Sequence, residues 1–460
     1  MWGIAGTALS SAVARAFGAE RPGKQKRPNI ILMMADDLGW ADPGFMGNQL
    51  IRTPHLDAMA KGGLRFERFY AAAPVCSPTR GSCLTGRHPY RYGVFFANVG
   101  HLPPEEITLA ELLKRQGYTT GHFGKWHLGT LTVTEKDSNR GGPRGAEHYS
   151  PPWDNGFDVC LSTEAKVPTW NPIRKPGSSE PYGTAYWKAG GIKASENLEG
   201  DDSRVIMDRV IPFIRNAVKR KKPFFAVIWF HTPHLPVLAG PEYLSMYPDL
   251  NEKKRHYYGC ITAMDSQIGR LGRTMRDLGV AGNTMLWFCS DNGPEGKAGR
   301  APGSASPLRG RKRSLFEGGI RVPGLLEWPD RVKPGSVTNG PACTSDYLPT
   351  ILDVLGIEMP DDRPIDGVSL LPLIEGRMTE RPQPIAFESG NQVALIENPF
   401  KLISLDKGKT WMLFDLIADP SETRDVADER AAVVRRMRAV LKAWRKSCKY
   451  SLAGKDYGQR

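Results

Sequence analysis

The chain has 460 residues, 40% hydrophobic and 24% charged, which is the make-up of a soluble globular protein too long for one simple core. A formal charge of +13 attracts polyanions, with nucleic acid and sulfated polysaccharide as the candidates; no nucleic-acid module is legible, and no nucleic-acid partner is expected. No run of about 18 apolar residues marks a membrane span, and the seven cysteines (Cys76, Cys83, Cys160, Cys260, Cys289, Cys343 and Cys448) show neither a zinc spacing nor a disulfide framework.

Residues 1–27 are mildly apolar and rich in small side chains, then basic, and are read as a leader and linker, although Arg15 interrupts the apolar part. Residues 28–34 form an apolar run that ends in Asp36-Asp37. That pattern predicts a buried parallel strand with two carboxylates at its C-terminal end, where open α/β sheets place their ligands. Adjacent carboxylates repel unless a cation or a proton intervenes. A short helix over 54–60 and a strand over 65–71 follow.

Next comes Val75-Cys76-Ser77-Pro78-Thr79-Arg80-Gly81, then Leu84-Thr85-Gly86-Arg87. Pro78 suits the first turn of a helix. Cys76 would then lie just before that helix, where unpaired N–H groups and the macrodipole favour an anion. Arg80, within about a turn, stays charged at any working pH. On its own the pattern also fits a buried structural cysteine beside a turn proline; the downstream segments decide. The Cys-x-Pro-x-Arg segment resembles the signature of the type I sulfatases of the alkaline phosphatase superfamily. Cys83 departs from that signature, standing where the family usually has a large apolar residue.

The resemblance implies that Cys76 is oxidised to Cα-formylglycine by a formylglycine-generating or sulfatase-maturing enzyme. One hydroxyl of the hydrated aldehyde would attack sulfur and the other would later expel sulfate. It also implies that Asp36 and Asp37 bind calcium, with magnesium as a substitute.

A helix is predicted over 104–116, followed by Gly117-Tyr118-Thr119-Thr120-Gly121-His122-Phe123-Gly124-Lys125-Trp126-His127-Leu128, which is similar to the second sulfatase signature. By that likeness Lys125 contacts sulfate and His127 the second formylglycine hydroxyl. Residues 130–200 read as a long loop-rich stretch, usually functional at such length. Its Trp153, Trp170 and Trp187 are candidates for stacking on sugars and equally for packing. A helix over 201–219 and a strand over 223–230 lead into His231-Thr232-Pro233-His234. His234 matches the family's histidine on the bridging sulfate oxygen.

After a helix over 253–278, a strand over 283–289 ends in Ser290-Asp291-Asn292-Gly293. Alone this is an Asx turn; set beside Asp36-Asp37 it resembles the rest of the family's metal site. Asp36, Asp37, Asp291 and Asn292, with the modified Cys76, offer oxygen donors that suit a hard cation. In residues 308–323 Lys312 matches a sulfate-contacting lysine, and Arg309, Arg311 and Arg313 add positive field. A helix is read over 344–355. Four short strand-like runs between 384 and 416 and a helix over 431–444 resemble the small sheet that closes sulfatases.

The expected fold is α/β: a large mixed, mostly parallel sheet between helix layers over 28–376, and a small α+β subdomain with a four-stranded antiparallel sheet over 377–460. The expected activity is hydrolysis of sulfate esters, on a sulfated carbohydrate, in a periplasmic or secreted protein. By the resemblance, Asp291 takes the proton of the attacking hydroxyl, His234 with Lys312 protonates the leaving oxygen, and His127 removes the second hydroxyl's proton. Two alternatives stand beside it: a phosphomonoester or phosphonate hydrolase of the same superfamily, and a non-catalytic sulfated-glycan-binding protein in which Cys76 stays unmodified.

Overall fold

A computed structural model of the chain describes residues 27–378 and 380–457; the leader expected over 1–27 falls almost wholly outside them. An eleven-stranded sheet forms the centre, and a separate four-stranded sheet lies toward the C-terminus. The large sheet is built on β1 (Asn29–Ala35), with β2 (Leu64–Tyr70), β3 (Thr119–Lys125), β4 (Val159–Thr163), β5 (Trp187–Lys188), β6 (Ile192–Lys193), β7 (Phe224–Trp229), β8 (Thr284–Ser290), β9 (Arg321–Glu327), β10 (Ser336–Thr338) and β11 (Ala342–Cys343). Its order is β10-β2-β9-β8-β1-β7-β3-β4-β5-β6, with β11 also on β2. The run β8-β1-β7-β3-β4 is parallel throughout; β9 runs antiparallel to both β8 and β2.

The apolar run of β1 is continuous because both faces of this strand are covered. Ile30, Leu32 and Met34 enter one core with Leu109, Leu112, Tyr347 and Leu348; Ile31, Met33 and Ala35 enter the other with Val205, Ile206, Ile261 and Met264. A period of two therefore sends alternate side chains to opposite helix layers. Cys83 is fully buried in the first core and acts there as a small hydrophobe. All seven cysteines are buried and unpaired.

The helices Asp202–Lys219 and Glu252–Asp277 start at Asp201 and Asn251, whose side chains accept from the backbone N–H of Arg204 and Lys254. The helix expected over 104–116 covers only Leu109–Arg115, because Thr108 and Glu111 form a reciprocal cap that fixes its start. The stretch 130–200 is not all loop: β4 extends the parallel sheet beside β3. Trp187 is 3% exposed and donates to Asp137, so it packs and is closed to a sugar. Trp153 packs on the first core, and the ring of Trp170 lies against Gly240. Residues 308–323 hold the start of β9 as well as the basic loop.

The small sheet has the order β12 (Ile385–Ser389), β13 (Gln392–Glu397), β14 (Phe400–Ser404) and β15 (Met412–Asp415), antiparallel throughout. The final helix, Ala431–Leu452, runs two turns beyond the expected end at 444 and buries Met437 and Leu441 against Val393, Leu395, Leu402 and Leu413.

Candidate active site

Every predicted site residue converges on the C-terminal edge of the parallel strands. β1 delivers Asp36 and Asp37, β3 ends on Lys125, β8 delivers Asp291 and Asn292, and the turn after β7 carries His231 and His234. Backbone bonds fix these ends: Asp36 N donates to Thr232 O (2.9 Å), Asp291 N to Ala35 O (3.1 Å), and Asp37 N to the Asp291 Oδ1 (3.1 Å). Two glycines allow the approach. Gly124 has φ +102°, and a Cβ there would stand 1.9 Å from Trp229 O; at Gly293 it would stand 1.9 Å from Gly318 O. Neither spot admits a side chain.

Cys76 is the first residue of the helix Cys76–Thr85, one position further in than expected, with Pro78 in the first turn. All ten residues of this helix are buried. The helix N-terminus faces the ion cluster with N–H groups that have no partner in their own helix. Arg80, one turn on, donates to Asp291 Oδ2 (2.7 Å) and to Lys125 O (3.0 Å), and stands 3.5 Å from Asp36. Its guanidinium lies 5.2 Å from the Trp229 ring centroid. Two guanidinium nitrogens of Arg80 thus hold the cluster together, and its buried Nε has no hydrogen-bond partner in the protein.

The other contacts are short. Lys125 Nζ sits 2.6 Å from Asp36 Oδ2, and Lys312 Nζ sits 2.6 and 2.8 Å from the two oxygens of Asp37. Asn292 donates to Asp37 Oδ1 (2.7 Å), and His234 Nε2 lies 3.7 Å from Asp37 Oδ2. Burial would raise Asp36, but Lys125, His234, Arg80 and Lys312 overcome it and hold that carboxyl well below the usual range. Burial and the neighbouring Asp36 push Asp291 up to about 7 against Arg80. One carboxylate of the pair is therefore firmly ionised and the other is poised near neutrality. Burial pushes the Cys76 thiol up, against Lys125 and Lys312.

Two histidines have tautomers set by their partners. His127 Nε2 faces Asn98 Oδ1 (3.0 Å), so it carries the proton, and the buried Nδ1 keeps a free lone pair. Burial, with Lys125 and Arg80, holds His127 well below the usual imidazole range, and its backbone is left-handed at φ 58°. His234 Nδ1 donates to Leu235 O (2.7 Å), leaving the Nε2 lone pair toward Asp37; burial brings it down to about 4. His231 bonds Thr163 and Asp202 and supports the strand ends from behind.

The donor set fits a hard cation. Asp36 Oδ1 and Asn292 Oδ1 are buried oxygens with no hydrogen-bond partner. A ring nitrogen of His234 lies within 4.8 Å of oxygens of Asp36 and Asp37, but the spare lone pairs on oxygen, and the absence of any thiolate set, favour a calcium-type ion over a softer one.

Sequence reasoning missed the supports of His127: Asn98, and Glu164, whose backbone oxygen accepts from His127 N (2.9 Å) and whose carboxyl meets Arg140 (3.4 Å). It also missed Glu295, which stands 3.5 Å from Lys312 and 2.6 Å from Arg313. None of the three lies in a signature, and each meets its partner only through the folding of loops. Arg309 and Arg311 are tied down: Arg309 lies 3.9 Å over the Phe316 ring and Arg311 donates to Glu295 O and Gly303 O, so less of the basic loop is free than its composition suggests. Beside Asp37 opens a cavity of about 340 Å³ with Leu235, Val237, His256, Tyr257 and Glu295 in its wall.

Comparison with known proteins gives the family. The sulfatase family model matches residues 28–357, and that of the N-sulphoglucosamine sulphohydrolase C-terminal region matches 311–447. The chain is 34% identical over 402 residues to the N-acetylgalactosamine-6-sulfatase of Sus scrofa, covering 83% of this chain and 72% of that one. It is 33% identical over 440 residues to the steryl-sulfatase of Rattus norvegicus, covering 78% and 72%. Among solved structures, Ps i-CgsB superposes with a TM-score of 0.80 at 29% identity, over 91% of this chain and 93% of that one. The chain belongs to the sulfatase family of sulfuric ester hydrolases.

Proposed function

We propose that this protein hydrolyses the sulfate ester of a sulfated carbohydrate by S–O cleavage, with Cys76 converted to formylglycine and one calcium ion bound. The observation that carries this reading is the placement of Cys76 at a buried helix start beside Lys125, Lys312, Asp36 and Asp291. An unmodified thiol there is disfavoured from ionising, and the thiol is a poor nucleophile. An aldehyde hydrate needs no such ionisation in advance. Because Cys76 is 2% exposed, a formylglycine-generating or sulfatase-maturing enzyme would reach it before the chain folds.

Asp36, Asp37, Asp291 and Asn292, with the hydrate, would hold the calcium ion, which would supply Lewis-acid polarisation of a sulfate oxygen. The remaining roles belong to the chain's own groups. Asp291, which lies beside Cys76, accepts the proton of the attacking hydroxyl. The ammonium groups of Lys125 and Lys312 offset charge on the sulfate oxygens. Arg80 keeps Asp291 and Lys125 in register. Lys312 is already a charged donor for the leaving oxygen; His234 must first gain a proton, which the arriving anion favours. His127, neutral with its Nδ1 lone pair free, takes the proton of the second hydroxyl, and that oxygen's electrons expel sulfate and restore the aldehyde.

A carbohydrate is supported by the relative named N-acetylgalactosamine-6-sulfatase and by the complex of Ps i-CgsB with k-i-k-neocarrahexaose, 28% identical at a TM-score of 0.78 over 91% of this chain and 93% of that one. The test has two arms. Peptide mass spectrometry of active protein should find an aldehyde at position 76, and Cys76→Ala should lose at least ~10³-fold in turnover. Sulfate release from a panel of sulfated glycans, an aryl sulfate and a phosphate monoester should then favour a glycan, with kcat/KM falling as salt rises. Full activity from unmodified Cys76, or turnover of the aryl or phosphate ester alone, would overturn it.

A further inference from the structure

The final helix carries a basic stripe that the sulfate site does not use. Between Ala431 and Leu452 the sequence holds no Asp or Glu, and Arg435, Arg438, Lys442, Lys446 and Lys449 recur three or four residues apart on one face. That spacing aligns them over about 21 Å at 1.5 Å per residue. All five are exposed, and none makes an ion pair among the described residues. Their neighbours show the contrast: Arg436 is paired with Glu397, and Arg445 is bound by both oxygens of Glu388.

The stripe is one wall of a groove of about 860 Å³ whose other wall includes Lys407, Gly408 and Trp411. Trp411 is fixed by its Nε1–H to Gly408 O (3.0 Å), and the Arg438 guanidinium lies 5.5 Å from its ring centroid. Asp406, in the loop that leads to Lys407 and Trp411, is occupied by the N–H groups of Lys409 and Thr410. Like charges three and four apart weaken a helix, so a plain solvated face would not be expected to concentrate them around a concave aromatic site.

We propose that this groove docks a sulfated polysaccharide chain away from the sulfate site, holding the polymer whose esters the site cleaves; the choice of a sulfated polymer rests on the reading above. Charge complementarity selects a polyanion. A membrane surface fits poorly, because the helix's apolar face, with Met437 and Leu441, is already buried on the small sheet and cannot insert. Nucleic acid fits poorly too, since one fixed indole is not the series of aromatic platforms on which successive bases stack.

The test uses full-length protein with Cys76→Ala, so that binding is measured without turnover, and dextran sulfate as the probe. Arg438→Glu, Lys442→Glu and Lys446→Glu together should weaken binding about tenfold or more and flatten its salt dependence. In the active background the same changes should lower kcat/KM on a long sulfated glycan and leave that on a monosulfated monosaccharide unchanged. The milder pair Lys442→Gln and Lys446→Gln, in the same direction, covers failure of the triple variant to fold. Unchanged affinity in both variants would overturn the proposal, as would tighter binding of duplex DNA or phosphatidylserine vesicles than of dextran sulfate. If the variants lose dextran sulfate while active protein desulfates no glycan, the groove stands and the substrate reading falls. If active protein desulfates glycans while the variants bind dextran sulfate as before, the substrate reading stands and the groove falls.

Discussion

Two buried charge clusters in this molecule are built alike and finished differently. At the catalytic edge Asp36, Asp37 and Asp291 face Arg80, Lys125 and Lys312; at the seam between the large and small sheets Glu317 and Glu422 face Lys401. Lys401 lies 3.0 Å from Glu317 and 2.9 Å from Glu422, Tyr70 donates to Glu317 (2.9 Å), and Glu317 N donates to Glu422 (2.6 Å). The seam satisfies its carboxylates from within the protein. Glu422 is pushed up to about 7 by burial as Asp291 is, but its Oε1 is met by the Lys401 ammonium at 2.9 Å, whereas the catalytic-edge cluster leaves Asp36 Oδ1 and Asn292 Oδ1 with no partner. A buried cluster that serves only the fold uses up its own charge, because unpaired charge in the interior is costly. One that leaves buried oxygens spare is arranged for something that arrives.

The comparison breaks most visibly on metal removal. Exhaustive chelation should take sulfate release to background and leave the fold intact, with calcium restoring it; stoichiometric zinc in elemental analysis would overturn the donor-set argument. At the seam, Lys401→Met strands two buried carboxylates and should cost about 3–5 kcal/mol in urea unfolding, with KM unchanged in the folded fraction. Lys312→Met at the catalytic edge should lower kcat by about 10²–10³. It should lose less stability than Lys401→Met, since the proposed calcium ion would still face Asp37; equal losses would show the two clusters to be the same kind of object.

Much of the candidate cluster was legible because its members close a strand or open a helix: Asp36 after β1, Lys125 at the end of β3, Asp291 after β8, Cys76 at a helix start; Arg80, inside that helix, and Lys312, in a loop, were picked out by the family resemblance. Local pattern locates such positions, and the α/β class follows from the same apolar runs. The seam was not legible. Glu317, Lys401 and Glu422 lie in three separate segments and meet only through the packing of two sheets. The same applies to Asn98 and Glu164 around His127. β4 escaped notice because its five residues, Val159–Thr163, sit in a long stretch of turns whose composition dominates. Trp187 read equally as a sugar platform and as a packing residue for want of its partner Asp137, fifty positions away. Total charge announced a polyanion; only the structure shows which cations remain unpaired.

The smallest effect sharpens the comparison through pH. His88 lies outside both clusters, beside the small sheet: its backbone N–H donates to Asp366 (2.6 Å), which also holds Arg91 and Trp444, and its ring meets Trp444 edge-on at 4.8 Å. Its Nδ1 accepts from Tyr90 N (3.3 Å), so the buried Nε2 carries the proton of the neutral ring. Burial pushes this imidazole down to about 3, with Arg91 lowering it further and Asp366 opposing. Its folded pKa lies below the unfolded value of about 6.5, so the unfolded chain binds the extra proton. The stabilising share of His88 is therefore complete above about pH 6.5 and lost as pH falls toward 3, at up to about 1.4 kcal/mol per pH unit. Asp42, Asp201 and Asp265, pushed up to about 7 by burial, act in the opposite sense but equally in wild type and variant. His88→Asn, which keeps an acceptor for Tyr90 N, should flatten the stability profile between pH 6 and 4 by that slope while leaving sulfate release at pH 7 unchanged. Urea unfolding at several pH values reads the difference directly. Parallel profiles would mean that His88 is not held neutral in the fold.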